Sequence, residues 1–138
     1  MPAGLSNVHF LKLTLTDDGG QTVSDNFYWL SKEYDFTDLN KLPRVTLDGA
    51  CEYTAQGEET VARVKLKNPS ETLAFSVHLA VLKGDGGDEV TPTYWEPNYF
   101  SLLPGEERIV TATFATRELG ETKPVVVVDG YNVARKNL

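Results

Sequence analysis

Residues 95–106 read Trp95-Glu96-Pro97-Asn98-Tyr99-Phe100-Ser101-Leu102-Leu103-Pro104-Gly105-Glu106: a Pro-broken loop, a short strand and a Pro-Gly turn in succession. Pro97 has no backbone N–H to give a sheet ladder, so one strand ends at Trp95-Glu96. Tyr99 to Leu103 is an apolar run of strand length. It sets Tyr99, Ser101 and Leu103 on one face, Phe100 and Leu102 on the other. Pro104-Gly105 suits the centre of a type II turn, because Pro presets a negative φ and Gly accepts a positive one. The chain then reverses into a strand beginning near Glu107. The stretch reads as a device that holds strands in register, and it carries no chemistry of its own.

The rest of the chain repeats the same grammar of short alternating runs between turns. Leu11, Leu13 and Leu15 alternate with Lys12 and Thr14, the period of a half-buried strand. Asp17-Asp18-Gly19-Gly20 turns the chain into Thr22–Leu30, with Val23, Phe27 and Trp29 on one face and Ser24, Asn26 and Tyr28 on the other. Residues 31–42 have no strand period and read as a connection. Arg44 to Thr54 is a third strand, with Gly49 as its expected bulge. Thr60 to Lys67 is the cleanest strand: Ala62, Val64 and Leu66 face inward, Arg63, Lys65 and Lys67 outward. Asn68-Pro69-Ser70 ends it. Leu73, Phe75, Val77, Leu79 and Val81 then mark the next core face, followed by a glycine-rich tip at residues 84–88. Val110, Ala112 and Phe114 form another inward face. Val125 to Val128, apolar on both faces, predicts a central strand. Residues 134–138 read as a frayed tail.

About eight or nine short strands with turn signals between them, and no amphipathic helix of normal length, predict an all-β fold. The expected architecture is an immunoglobulin-like antiparallel β-sandwich, with a small closed barrel as the alternative. No Cys–Trp–Cys pattern exists, which excludes an antibody-type domain. The expected domain runs from residue 7 to 133, with residues 1–6 as a linker or artificial start and 134–138 as the tail. Met1-Pro2-Ala3-Gly4 has neither a basic region nor an apolar core, so it does not read as a signal peptide, and the fragment itself reads as soluble.

A chain of 138 residues can bury a core of its own. Its 41% hydrophobic and 24% charged residues are those of a globular protein. The net charge of −7 argues against nucleic acid and against an anionic membrane surface as partners. The single cysteine, Cys51, permits no internal disulfide, leaves the compartment open and reads as a buried, inert thiol.

Chemistry is sparse. His9 and His78 have no second His or Cys at metal-ligand spacing and read as surface or pairing histidines. No nucleophile elbow, Walker loop or dinucleotide fingerprint is present. Asp85, Asp88 and Glu89 match no calcium-loop spacing and read, like Asp17 and Asp18, as solvated turn carboxylates. No catalytic residue, metal ligand or cofactor is therefore expected. The aromatics are more informative: Tyr28, Tyr94, Trp95 and Tyr99 are candidates for sugar or domain contact, because exposed rings stack on sugars and anchor interfaces. Core or inter-domain packing is the competing reading, with Phe27 and Trp29 in the core and Trp95 capping one end of the sandwich.

Four segments, in this order, carry a family resemblance. They are Asn26-Phe27-Tyr28-Trp29-Leu30, Lys67-Asn68-Pro69-Ser70, Asn98 to Glu106, and Gly130-Tyr131-Asn132-Val133. Together they resemble the C-terminal immunoglobulin-like domain of family 2 glycoside hydrolases of the β-mannosidase and exo-β-glucosaminidase type, over about Asn7 to Val133. The resemblance implies an accessory sandwich packing against the other domains of a multidomain exo-glycosidase. It also implies a parent that is exported, whose two catalytic glutamates lie in a separate (β/α)₈ barrel. A carbohydrate-binding module with Tyr94, Trp95 and Tyr99 or Tyr28 as its platform is the alternative.

Overall fold

The structure is a computed structural model that describes residues 4–97 and 99–138. The expected start at Met1-Pro2-Ala3 and the Asn98 position of the loop lie outside the described residues. The described residues form ten strands and two 3₁₀ turns joined by loops. In chain order the strands are β1 (Val8–Thr16), β2 (Thr22–Ser31), β3 (Asp48–Gln56), β4 (Glu59–Lys67) and β5 (Ala74–Lys83). They continue with β6 (Thr93–Glu96), β7 (Phe100–Leu102), β8 (Glu107–Ala115), β9 (Pro124–Gly130) and β10 (Lys136–Asn137). The 3₁₀ turns are Thr37–Lys41 and Thr116–Leu119. The chain divides into two compact units, one ending at Leu42 and one spanning Pro43–Leu138.

The first unit is built on the hairpin β1–β2, an antiparallel two-stranded sheet. Asp17 closes its turn: the carbonyl accepts the Gly20 N–H at 3.0 Å, and Oδ1 accepts those of Gly19 and Gln21 at 2.9 and 2.8 Å. Gly20 takes the positive φ of 79° that this reversal demands. Strand pairing puts Phe10 near Phe27 with ring centroids 5.6 Å apart, and Lys12 3.5 Å from Asp25.

The second unit is a sandwich of the predicted class, without the β1–β2 hairpin that the expected bounds of 7–133 included. Two antiparallel four-stranded sheets have the orders β3-β4-β8-β6 and β10-β9-β5-β7, which excludes the closed barrel. One core cluster draws Ala62, Val64 and Leu66 from β4, Val110, Ala112 and Phe114 from β8, Val77, Leu79 and Val81 from β5, and Val126 and Val128 from β9. Each fully buried Val, Leu or Phe contributes about 1.5–3 kcal/mol of transfer free energy. On the outward phase of β4, Glu107 bridges Lys65 and Lys67 at 3.2 and 3.5 Å. These exposed pairs serve solubility more than stability. The central strand β9 lies between β10 and β5 as its double-sided apolar sequence predicts, and Val127 packs with Ala80 and Leu82 on the opposite face.

Residues 99–106 keep the two faces that were read, but the strand is confined to Phe100–Leu102 and Tyr99, at a φ of 51°, stands outside it. Phe100 and Leu102 enter the core while Tyr99 and Leu103 stay exposed, and Ser101 Oγ accepts the Ser76 N–H at 3.1 Å. Gly105 has a φ of 74°, the Glu106 N–H donates to the Leu103 carbonyl at 3.0 Å, and the Glu106 carboxylate accepts the Leu103 N–H at 2.8 Å.

Two local expectations are corrected. Gly49 is no bulge, since β3 pairs with β4 in continuous register through Gly49↔Leu66. A Cβ there would meet the Leu138 and Leu66 side chains at 2.8 and 2.9 Å, so close packing is its reason. Register shifts fall instead in β1 between Leu15 and Thr16 and in β5 between Ala74 and Val77, where Ser76 has a φ of 51°. Residues 134–138 do not fray. β10 pairs with β9, the Leu138 N–H donates to the Val126 carbonyl at 2.9 Å, and Leu138 packs against the core.

Candidate functional site

The aromatic candidates separate. Tyr28 lies on β2 of the hairpin unit, and Tyr94, Trp95 and Tyr99 lie in the sandwich. Tyr94 and Trp95 are consecutive on β6 and so project from opposite faces of the sheet. Tyr94 is 70% exposed, whereas Trp95, paired with Ala112, packs against the core. The two cannot form one platform.

Tyr99, 63% exposed, holds a φ of 51°, and its ring stacks on His78 with centroids 5.2 Å apart and planes 24° from parallel. His78 stands on the outward phase of β5, as predicted, with Nδ1 3.0 Å from Asp129 Oδ1 across the β5–β9 pair. Asp129 Oδ2 accepts from Arg135 Nη1 at 3.2 Å. The group is a half-exposed chain of Tyr99, His78, Asp129 and Arg135 whose polar ends satisfy one another. His9 departs from expectation: both ring nitrogens are buried with no hydrogen-bond partner among the described residues.

Two asparagines that sequence reading took only as loop and motif positions are buried clamps. Asn68, fully buried, donates from Nδ2 to the Thr72 and Leu102 carbonyls at 2.7 and 3.1 Å. Its Oδ1 accepts the Ser70 N–H at 3.1 Å. Asn132 donates to the Pro43 and Leu73 carbonyls at 2.9 and 2.7 Å and accepts the Phe75 N–H at 2.8 Å. The resemblance motifs therefore encode loop closure, since buried backbone groups without partners are costly.

Cys51, expected buried, is less enclosed than that. It is half-buried on the core side of β3, and burial pushes its thiol pKa up, away from reactive thiolate chemistry. Burial, with the neighbouring Cys51, also raises the Tyr53 phenol above its ordinary range, and its oxygen accepts the Val126 N–H at 3.1 Å. Asp85 accepts from Asn137 Nδ2 at 2.7 Å. Among the described residues no three His, Cys, Asp or Glu side chains gather as a metal site. Among them, too, no helix is long and apolar enough to cross a membrane.

What sequence reading missed is on β1. Leu11, Leu13 and Leu15, expected as the buried face of a half-buried strand, are 43, 51 and 62% exposed. Trp29, set against the core in the competing reading, is exposed as well.

Two antiparallel sheets around a shared core, with polar clamps at the loops, define the immunoglobulin-like class of domains. Within it, the chain belongs to the exo-β-D-glucosaminidase Ig-fold domain family, whose model matches residues 26–133. An exo-β-D-glucosaminidase of Arthroderma benhamiae is 38% identical, over 94% of this chain and 16% of that protein. One from Amycolatopsis orientalis is 33% identical, over 99% of this chain and 15% of that protein. The crystal structure of the Amycolatopsis orientalis exo-chitosanase CsxA matches with a TM-score of 0.89 at 31% identity, covering 100% of this chain and 19% of that one. The chain thus spans less than a fifth of the length of the relatives it matches.

Proposed function

We propose that the chain is the non-catalytic accessory domain of a multidomain exo-β-D-glucosaminidase, and that it packs against the other domains of that enzyme. The observation that supports this best is the pairing of a whole-chain structural match with a small share of the matched protein, 100% against 19%. The relatives favour a glucosaminide over a mannoside substrate, since the matched curated proteins bear the name exo-β-D-glucosaminidase. The hydrolytic carboxylates are then supplied by a separate barrel, and an exported parent fits a polymeric substrate that lies outside cells.

The test is to express the complete reading frame and assay glucosamine release from chitosan oligomers beside mannose release from β-mannosides. Glucosamine release by the parent and none by the 138-residue chain is the expected result. Mannose release alone overturns the substrate assignment, and turnover by the isolated chain overturns the accessory role.

The exposure of Tyr94 and Tyr99 supports a second reading, a sugar-binding surface on the sandwich. An amide-shift titration with chitosan oligomers and then manno-oligosaccharides decides it. Localised shifts at Tyr94 and Tyr99 support binding, and their absence leaves the domain as a packing element.

A further inference from the structure

We propose that the leucine row of the β1–β2 hairpin is the surface by which this chain docks onto an apolar patch of another domain of its own parent polypeptide. The proposal rests on the reading of the chain as one domain of a multidomain glycosidase. In an antiparallel ribbon, residues paired across the strands share a face. Leu11, Leu13 and Leu15 therefore stand in a line, with Tyr28 opposite Leu11 and Leu30 at the root of the row opposite His9. The three leucines become more exposed toward the turn, from 43 to 62%, and Tyr28 is 45% exposed. The other face of the ribbon has its own internal contacts, the Phe10–Phe27 stack and the Lys12–Asp25 pair. Among the described residues of the hairpin unit the leucine face has no comparable ring stack or ion pair, although Trp29 on the other face is also 52% exposed, and a two-stranded ribbon with an exposed apolar face is marginal in water.

The chemistry of the face selects its occupant. Apart from His9 it carries Leu, Tyr, Asn26 and Ser24 and no Lys or Arg, so it lacks the cations that bind an anionic lipid surface. It offers one aromatic ring, too few for a sugar-stacking platform. An apolar row with a tyrosine at its side is the composition of a protein interface. The hairpin lies within a structural match that covers 100% of this chain but only 19% of the matched chain, so most of that polypeptide is available to cover it. A partner on the same chain binds at high effective concentration, which favours it over a second copy.

Hydrogen exchange of residues 8–31 measures the cover directly, compared between the 138-residue chain and the full-length parent. Exchange in β1 and β2 should slow about tenfold or more in the parent. Leu13→Ser or Leu15→Ser should abolish that slowing and leave exchange in β4 and β8 unchanged. Equal exchange in the two proteins overturns the proposal. So does concentration-dependent dimerisation of the isolated chain, by sedimentation, that Leu13→Ser removes, because a second copy is then the occupant. Glucosamine release is scored separately: a protected hairpin in a parent without that activity sinks the functional reading and leaves the docking surface standing.

Discussion

Strands β1 and β4 have nearly the same sequence grammar and opposite fates. Leu11-Lys12-Leu13-Thr14-Leu15 and Ala62-Arg63-Val64-Lys65-Leu66 both alternate apolar with polar residues. The three apolar side chains of β4 are 0% exposed, whereas those of β1 are 43, 51 and 62% exposed. A period of two fixes which residues share a face. Whether that face is covered depends on a second layer. The sheet opposite β4 supplies that layer from the same chain. For β1 we assign it to the rest of the parent enzyme.

The sharpest way to break the contrast is to substitute on both sides of it and measure urea unfolding. Phe114→Ala, in the core and 1% exposed, should cost about 3–5 kcal/mol through lost transfer energy and the cavity left behind. A cost below that of any hairpin variant would overturn the division between a covered and an uncovered unit.

Asn132→Ala should follow, at about 2–3 kcal/mol, since it strands the Phe75 N–H and two carbonyls in a buried site. Gly49→Ala should cost about 1–3 kcal/mol by overpacking against Leu66 and Leu138, with Leu138→Ala relieving part of it. Additive effects in the double variant would disprove that contact.

Alkaline titration probes the join between the sandwich sheets. The Tyr53 phenol is raised above 10.0, first by burial and then by Cys51, so the folded state disfavours its phenolate. The stability it confers is whole below pH 10 and falls as pH rises toward the elevated folded pKa, because the unfolded chain loses the proton first. Tyr53→Phe should flatten the unfolding free energy above pH 10, and an unchanged slope would remove Tyr53 as the source. The smallest effect belongs to the hairpin: Leu13→Ser in the isolated chain should change stability by about 0.5 kcal/mol or less.

Much of the sandwich was legible. β4, β8 and β9 follow from alternation, and the turn at Pro104-Gly105 follows from the φ preferences of its two residues. The bulge at Ser76 was not, because the sequence there alternates without interruption and only pairing with β7 reveals the shift. Gly49 was misread because a glycine that yields space to Leu138 looks the same in sequence as one that bends a strand. The candidate rings were half legible. Tyr94 and Tyr99 are exposed, but adjacency in sequence sends Trp95 to the opposite face of β6 from Tyr94.

The sequence by itself determined the all-β class, the faces of the clearest strands, the positions of the turns and the family resemblance, because each depends on local φ preferences or a two-residue period. Tertiary structure alone decided which faces are covered, which asparagines become buried clamps and how the last residues pair. Those outcomes depend on groups far apart in the chain: Asn132 on Pro43 and Leu73, Gly49 on Leu138, Tyr53 on Val126. No local pattern encodes a partner 56 or more residues away, as the hydrogen bond between the Thr60 and Thr116 hydroxyls shows at the near end of that range.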